Sequence, residues 1–170
     1  AQQIEEVPIV MVAVPHQDAT DATLYSLRQA AARSLGTRPG ARLACVTVIS
    51  GSAVQGADTS SSETSLQRRY ITTLRQWAQP LGYPGQQTSF HVLESGDVAH
   101  ALLHYARGNH VSVIVMGAAT HGLKTQRVLA TVPIKVAMHA PCTVVLVKQA
   151  LPFELLGSPD DLHPTHPTLY

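Results

Sequence analysis

No apolar run in this 170-residue sequence approaches the ~20 residues that a membrane-spanning helix needs. The first residues carry no secretory signal pattern. Aromatic residues make up only 5%, with a single Trp, too few for a stacking platform for single-stranded nucleic acid. Charged residues are 14% and the net charge is +1. A surface so nearly neutral cannot pair with many phosphates, which excludes an electrostatic nucleic-acid binder. Two cysteines, Cys45 and Cys142, form no disulfide framework and read as reduced, buried thiols. Nucleic acid and membrane are therefore not expected partners, and the expected compartment is the cytoplasm.

Catalytic patterns are missing too. There is no Gly-x-Ser-x-Gly elbow and no Rossmann glycine spacing. Gly117-x4-Gly122-Leu123-Lys124 has its lysine one place too late for a phosphate-binding P-loop. His100 and His104 stand four apart, a spacing that can hold zinc on a helix, but no third ligand or catalytic Glu accompanies them. His163 and His166 are no better placed. Cys142 follows Pro141 and has no base beside it. No metal and no catalytic residue is expected, and any enzymatic activity would lie in another part of a longer chain.

What is present is five apolar runs separated by helix-compatible segments. Pro8–Val14 reads as a first buried strand ended by Pro15. Capping residues between Asp18 and Asp21 precede Leu24, Leu27, Ala31 and Leu35 at helical spacing, with Gly36 as a stop. Leu43–Ile49 is a second strand. Ser50–Ser62 reads as a loop, near whose end Ser60, with Glu63 three residues later, fits a capping box. The helix so opened carries Leu66, Tyr70, Leu74, Trp77 and Leu81 on one face, and Pro80 bends or ends it. Thr88–Leu93 is a third strand, polar enough for a sheet edge. A short helix follows, with Val98, Leu102 and Tyr105 inward and Gly108 after it. Val111–Met116 is a fourth strand, then a helix runs to about His139, and Thr143–Val147 is the fifth. Strands this apolar are covered on both faces, and the βαβαβαβαβ alternation makes the fold α/β with a parallel sheet. The loop after the fourth strand lies at the carboxyl edge, where such sheets bind ligands.

The segment Val113-Ile114-Val115-Met116-Gly117, then Gly122-Leu123-Lys124, then Thr131-Val132-x-x-Lys135-Val136-x-x-His139-Ala140-Pro141-Cys142-x-Val144 resembles the C-terminal signature of the universal stress protein family. The resemblance implies a three-layer sandwich around a five-stranded parallel sheet of order 3-2-1-4-5, the adenine nucleotide alpha hydrolase-like arrangement. In that order the two cysteines lie three strand spacings apart, on the order of 14 Å, beyond the ~7 Å reach of a disulfide.

Nucleotide-binding members of the resembled family carry Gly-x2-Gly-x9-Gly-Ser/Thr. Here Gly117 is the first glycine, the second falls on Thr120, the third on Ala130, and Thr131 keeps the hydroxyl. The spacing survives while two of three glycines are lost. Glycines there admit positive φ and let phosphate approach the backbone, and a β-branched Thr resists that conformation. The family's ribose-binding Asp aligns with Pro15, which has no acceptor, and Asp18 stands three residues on. By the same resemblance Ala13, Val14 and Val48 would line an adenine site, though these three are equally ordinary core residues, and Met116, Ala119 and Val132 join the candidate nucleotide-binding set. His121, Lys124 and Arg127 could offer positive charge or form a solvated face. Two readings stay open: a regulatory module with a degenerate loop, and an ATP- or AMP-binding sensor that takes ATP with Mg²⁺.

The family pairs its fifth strand across a two-fold axis, so Thr143, Val144, Val145, Leu146 and Val147 are expected to form the edge of a homodimer. The alternative is that the tail covers this edge within one chain. Residues 1–148 are expected to form the domain and 149–170 an extension, in which Leu151–Leu156 docks on the body and the rest is loosely held. The start at Ala1-Gln2-Gln3, without Met, fits a processed chain or a piece of a longer one, such as the regulatory domain of a bacterial Ser/Thr protein kinase.

Overall fold

The computed structural model describes residues 6–17, 19–50, 60–118 and 131–148, the first turn of the second helix (60–64) by its backbone alone. Ile9–Ala13 (β1), Arg42–Ile49 (β2), Thr88–Glu94 (β3), Val113–Gly117 (β4) and Thr143–Val147 (β5) are the strands. They form one sheet, all parallel, in the order β3-β2-β1-β4-β5. Asp21–Gly36 (α1), Ser60–Ala78 (α2), Val98–Gly108 (α3) and Thr131–His139 (α4) supply the crossovers. The expected loop core at 51–59, the Ser60 and Glu63 side chains, the loop 119–130 and the tail from 149 lie outside the described residues.

Alternation along the strands separates two cores. Val10, Val12, Leu43, Cys45, Val113 and Val115 face α1 and α2, where they meet Leu27, Ala31, Leu74 and Trp77. Met11, Val46, Ile114 and Met116 face the other way and meet Leu102, Ala106 and Val136 of α3 and α4. Each strand residue is thus assigned to a layer by its parity. Trp77 joins the two helices of its layer: its indole N–H donates to the Leu24 carbonyl at 3.1 Å, and Arg28 donates to the Trp77 carbonyl at 2.9 Å. At the opposite end of the sheet from the ligand edge, Ile9 and Ser112 exchange hydrogen bonds that set β1 against β4.

Helix ends differ in detail from the local expectations. α1 is opened by Thr20, whose hydroxyl accepts from the Thr23 N–H at 3.1 Å. It does end at Gly36, but the cap residue Thr37 is right-handed and the positive φ falls on Gly40, which turns the chain into β2. α2 stops at Ala78 and passes into a 3₁₀ turn over Gln79–Leu81 that accommodates Pro80. In α3 the buried stripe is Ala99, Leu102, Leu103 and Ala106, while Val98 is 39% exposed. Val98 sits in the first turn, about a quarter turn off that stripe. Gly108 is the last residue of α3, and the left-handed conformation falls on His110.

The thiols follow their burial. Cys45 lies fully inside the α1–α2 core, and loss of solvation pushes its pKa up to about 12. Cys142 is half-buried, free, and shifted the same way by the same cause. Neither thiol is activated. Because the unfolded thiol ionises near its ordinary value and the folded one does not, the Cys45 contribution to stability is fully present below about pH 9. It is lost as the pH rises toward 12, by up to about 4 kcal/mol. Burial also raises Tyr105, with the Cys45 charge adding to it, so its contribution falls in the same direction. Urea unfolding of Cys45→Ala between pH 8 and 11 is expected to show a shallower decline than that of the unaltered chain, the residual slope coming from Tyr105 and Cys142.

Candidate functional site

β1 and β4 are neighbours whose crossovers leave in opposite directions, β1 toward β2 and β4 toward β5. Their carboxyl ends therefore flank the topological switch point of the sheet. β1 ends at Ala13, followed by Val14, which the α1–α2 core buries, and by exposed Pro15. β4 ends at Met116 and Gly117, and α4 starts at Thr131. Pro133 falls in the first turn of α4, where its missing N–H costs no helical hydrogen bond.

The candidate residues divide between the layers. Ala13, Val48 and Val132 pack partly buried against one cluster that contains Met116, on the α3–α4 side. Val14 belongs to the opposite cluster. Gly117 is half-buried and Thr131 exposed. Ala119, Thr120 and Ala130, with His121, Lys124 and Arg127, lie outside the described residues. Three of the four apolar candidates on the α3–α4 side thus form a partly exposed shelf at the ligand edge, with Met116 nearly covered beneath it.

Gly117 has no positive φ, and among the described residues a Cβ built there would meet nothing within 4 Å. Among the described residues, its missing side chain serves neither the backbone conformation nor close packing. The next amide is already used. Ala118 N–H donates to the Val147 carbonyl at 2.9 Å, extending the β4–β5 pairing by one residue. Any phosphate cradle must therefore draw its amides from beyond Ala118 and from the start of α4, whose first N–H groups and partial positive charge are suited to anions. Asp18, three residues beyond Pro15, lies outside the described residues.

Other polar features fall elsewhere. A cavity of about 700 Å³ lies on the α3 side of β3, lined among others by Gln67, Glu94, His100, His104 and Tyr105. A second, of about 650 Å³, lies on the α2 side of the same strand beside Arg75 and Phe90. His100 and His104 stack with ring centroids 6.1 Å apart. Among the described residues no three His, Cys, Asp or Glu side chains converge on a metal position. The sequence reading overlooked Thr47, whose hydroxyl is buried on β2 and has no hydrogen-bond partner among the described residues; a hydroxyl within an apolar strand was the available signal. Among the described residues no helix is long and apolar enough to cross a membrane.

This arrangement defines a doubly wound α/β domain whose ligand edge is the β1–β4 switch point. More narrowly, the chain belongs to the universal stress protein family, whose sequence profile matches residues 8–148. No curated protein matches the sequence. Among solved structures, a universal stress protein in complex with cAMP shares the fold with a TM-score of 0.58 and 17% identity, over 84% of this chain and 98% of that one. A universal stress protein from Archaeoglobus fulgidus aligns with a TM-score of 0.56 and 19% identity, over 83% and 93% of the two chains. Universal stress protein UspA from Lactobacillus plantarum aligns at 0.57 and 20%, over 84% and 100%.

The open space at Gly117 yields a test that separates folding from ligand contact. Gly117→Ala is expected to keep unfolding stability within about 0.5 kcal/mol of the unaltered chain, since strand geometry and space both admit a methyl group. Chemical unfolding followed by Trp77 fluorescence measures it.

Proposed function

We propose that this chain is a non-catalytic regulatory module of the universal stress protein kind, with a degenerate nucleotide loop and a dimer interface along β5. The observation that carries the reading is the substitution pattern around the switch point. Of the three glycine positions only Gly117 keeps glycine, Thr120 and Ala130 replace the other two, and Pro15 stands where a carboxylate would hold ribose. Engagement of the Ala118 N–H by β5 removes one more donor from a phosphate.

A second reading has its own support. The apolar shelf of Ala13, Val48 and Val132 is retained, and a relative of the same fold is in complex with cAMP. A ligand with one phosphate asks less of the cradle than a triphosphate does. On this reading the module holds adenine through the shelf and a single phosphate at the start of α4, near Thr131, without Mg²⁺.

Calorimetric titration with ATP and Mg²⁺, and separately with cAMP and AMP, distinguishes the two. The degenerate-loop reading expects no heat with ATP at millimolar concentration, and measurable ATP binding after Thr120→Gly with Ala130→Gly. Submillimolar ATP binding by the unaltered chain would overturn it. Binding of cAMP or AMP, with ATP silent, would establish the second reading in its place.

The dimer rests on the free side of β5. Among the described residues β5 pairs only with β4, and Leu146 on it is 41% exposed. An open apolar edge invites pairing with a copy of itself. Light scattering is expected to return the mass of two 18.2 kDa chains, and Leu146→Lys to shift the particle toward one chain with its circular dichroism unchanged. A monomer at high protein concentration would remove the interface.

A further inference from the structure

α4 is apolar on both sides. Pro133 and Val136 are buried, and Val132 packs partly buried beside them. On the face turned away from the sheet stand Ile134, 53% exposed, and Met138, 74% exposed, the most exposed of the large apolar side chains described. They are one helical turn apart, close enough to form one patch. Lys135 is exposed beside them and α4 carries no carboxylate. A helix that is apolar all round is normally a covered one, and single exposed apolar residues are ordinary only when scattered.

The chain itself supplies a cover of matching chemistry. β5 runs parallel to β4, so Lys148 leaves the sheet at the carboxyl edge, the same edge at which α4 begins. The next residues include Leu151-Pro152-Phe153-Glu154-Leu155-Leu156, an apolar cluster with one acidic side chain in its midst. Residues 149–156 extend to on the order of 26 Å at ~3.3 Å each. α4 spans about 13 Å at 1.5 Å per residue. That length leaves room for the segment to pass from the sheet to the outer face of the helix, and Glu154 has the charge to complement Lys135. We propose that residues 149–156 fold back along α4 and seat the Leu151–Leu156 cluster on Ile134 and Met138, leaving the β5 edge free.

The three methionines make this measurable. Met11 and Met116 are buried at 0% and 5% exposure and serve as internal standards for Met138. The full chain is treated with dilute hydrogen peroxide, and sulfoxide formation at each methionine is followed by peptide mass spectrometry. Phe153→Asp with Leu155→Asp is expected to speed oxidation of Met138 by about fivefold or more, with Met11 and Met116 unchanged. A chain ended at Lys148 is expected to behave alike. An unchanged Met138 rate in the double variant overturns the proposal, as does oxidation of Met138 at the rate of free methionine in the unaltered chain. Protection that disappears on dilution assigns the cover to a second copy and overturns it too. The full-length double variant keeps the test decisive where the shortened chain fails to fold.

Discussion

The structure depends on β1 being sealed from every side. Its backbone pairs with β2 on one flank and β4 on the other, and its side chains alternate between the two helical layers. Val10, Met11 and Val12 are each 0% exposed. A strand in this position admits no polar residue and no proline within its length, and the sequence complies until Pro15, which marks where burial ends. The two halves of the sheet are wound outward from this strand, and the gap above its carboxyl end exists because the chain leaves it in one direction and returns on the other side.

That geometry makes the site a product of backbone layout more than of side-chain chemistry. The ends of β1 and β4 and the start of α4 converge whatever residues occupy them. The apolar shelf is built from residues that also serve the α3–α4 core, so their presence follows from packing as readily as from a ligand. On the reading proposed above, side chains would decide occupancy through a few positions only: Pro15, which offers no acceptor, and the two glycine positions of the resembled motif that carry Thr120 and Ala130. Gly117, the one of the three motif positions that is described, has an ordinary φ and, among the described residues, open space at its Cβ position.

Strand identity and the parallel arrangement were legible because strands leave continuous apolar runs, Val113–Met116 buried within the sheet and Thr143–Val147 partly exposed at its edge. Edge position was legible in the polarity of Thr88–Glu94. Finer features depended on partners that a local pattern does not contain. Val98 fits an apolar period yet lies off the stripe that faces the sheet. Gly36 and Gly40 are equally plausible turn residues by composition, and only the backbone shows which takes the left-handed conformation. The engagement of the Ala118 N–H was invisible in the sequence, since its acceptor is Val147, 29 residues along on another strand. For the site, the spacing from Gly117 to Thr131 was readable. Its division between two packing layers was not, because parity relative to the sheet decides which residues share a shelf.

The Ala118 to Val147 hydrogen bond has a consequence for how such a domain diversifies. It anchors the end of β4 to its neighbour, and Pro133 and Val136 anchor the start of α4 to the core. Mutations accumulating between these two fixed posts leave the strand register untouched. The segment between them can therefore change its residues without changing the architecture that carries it.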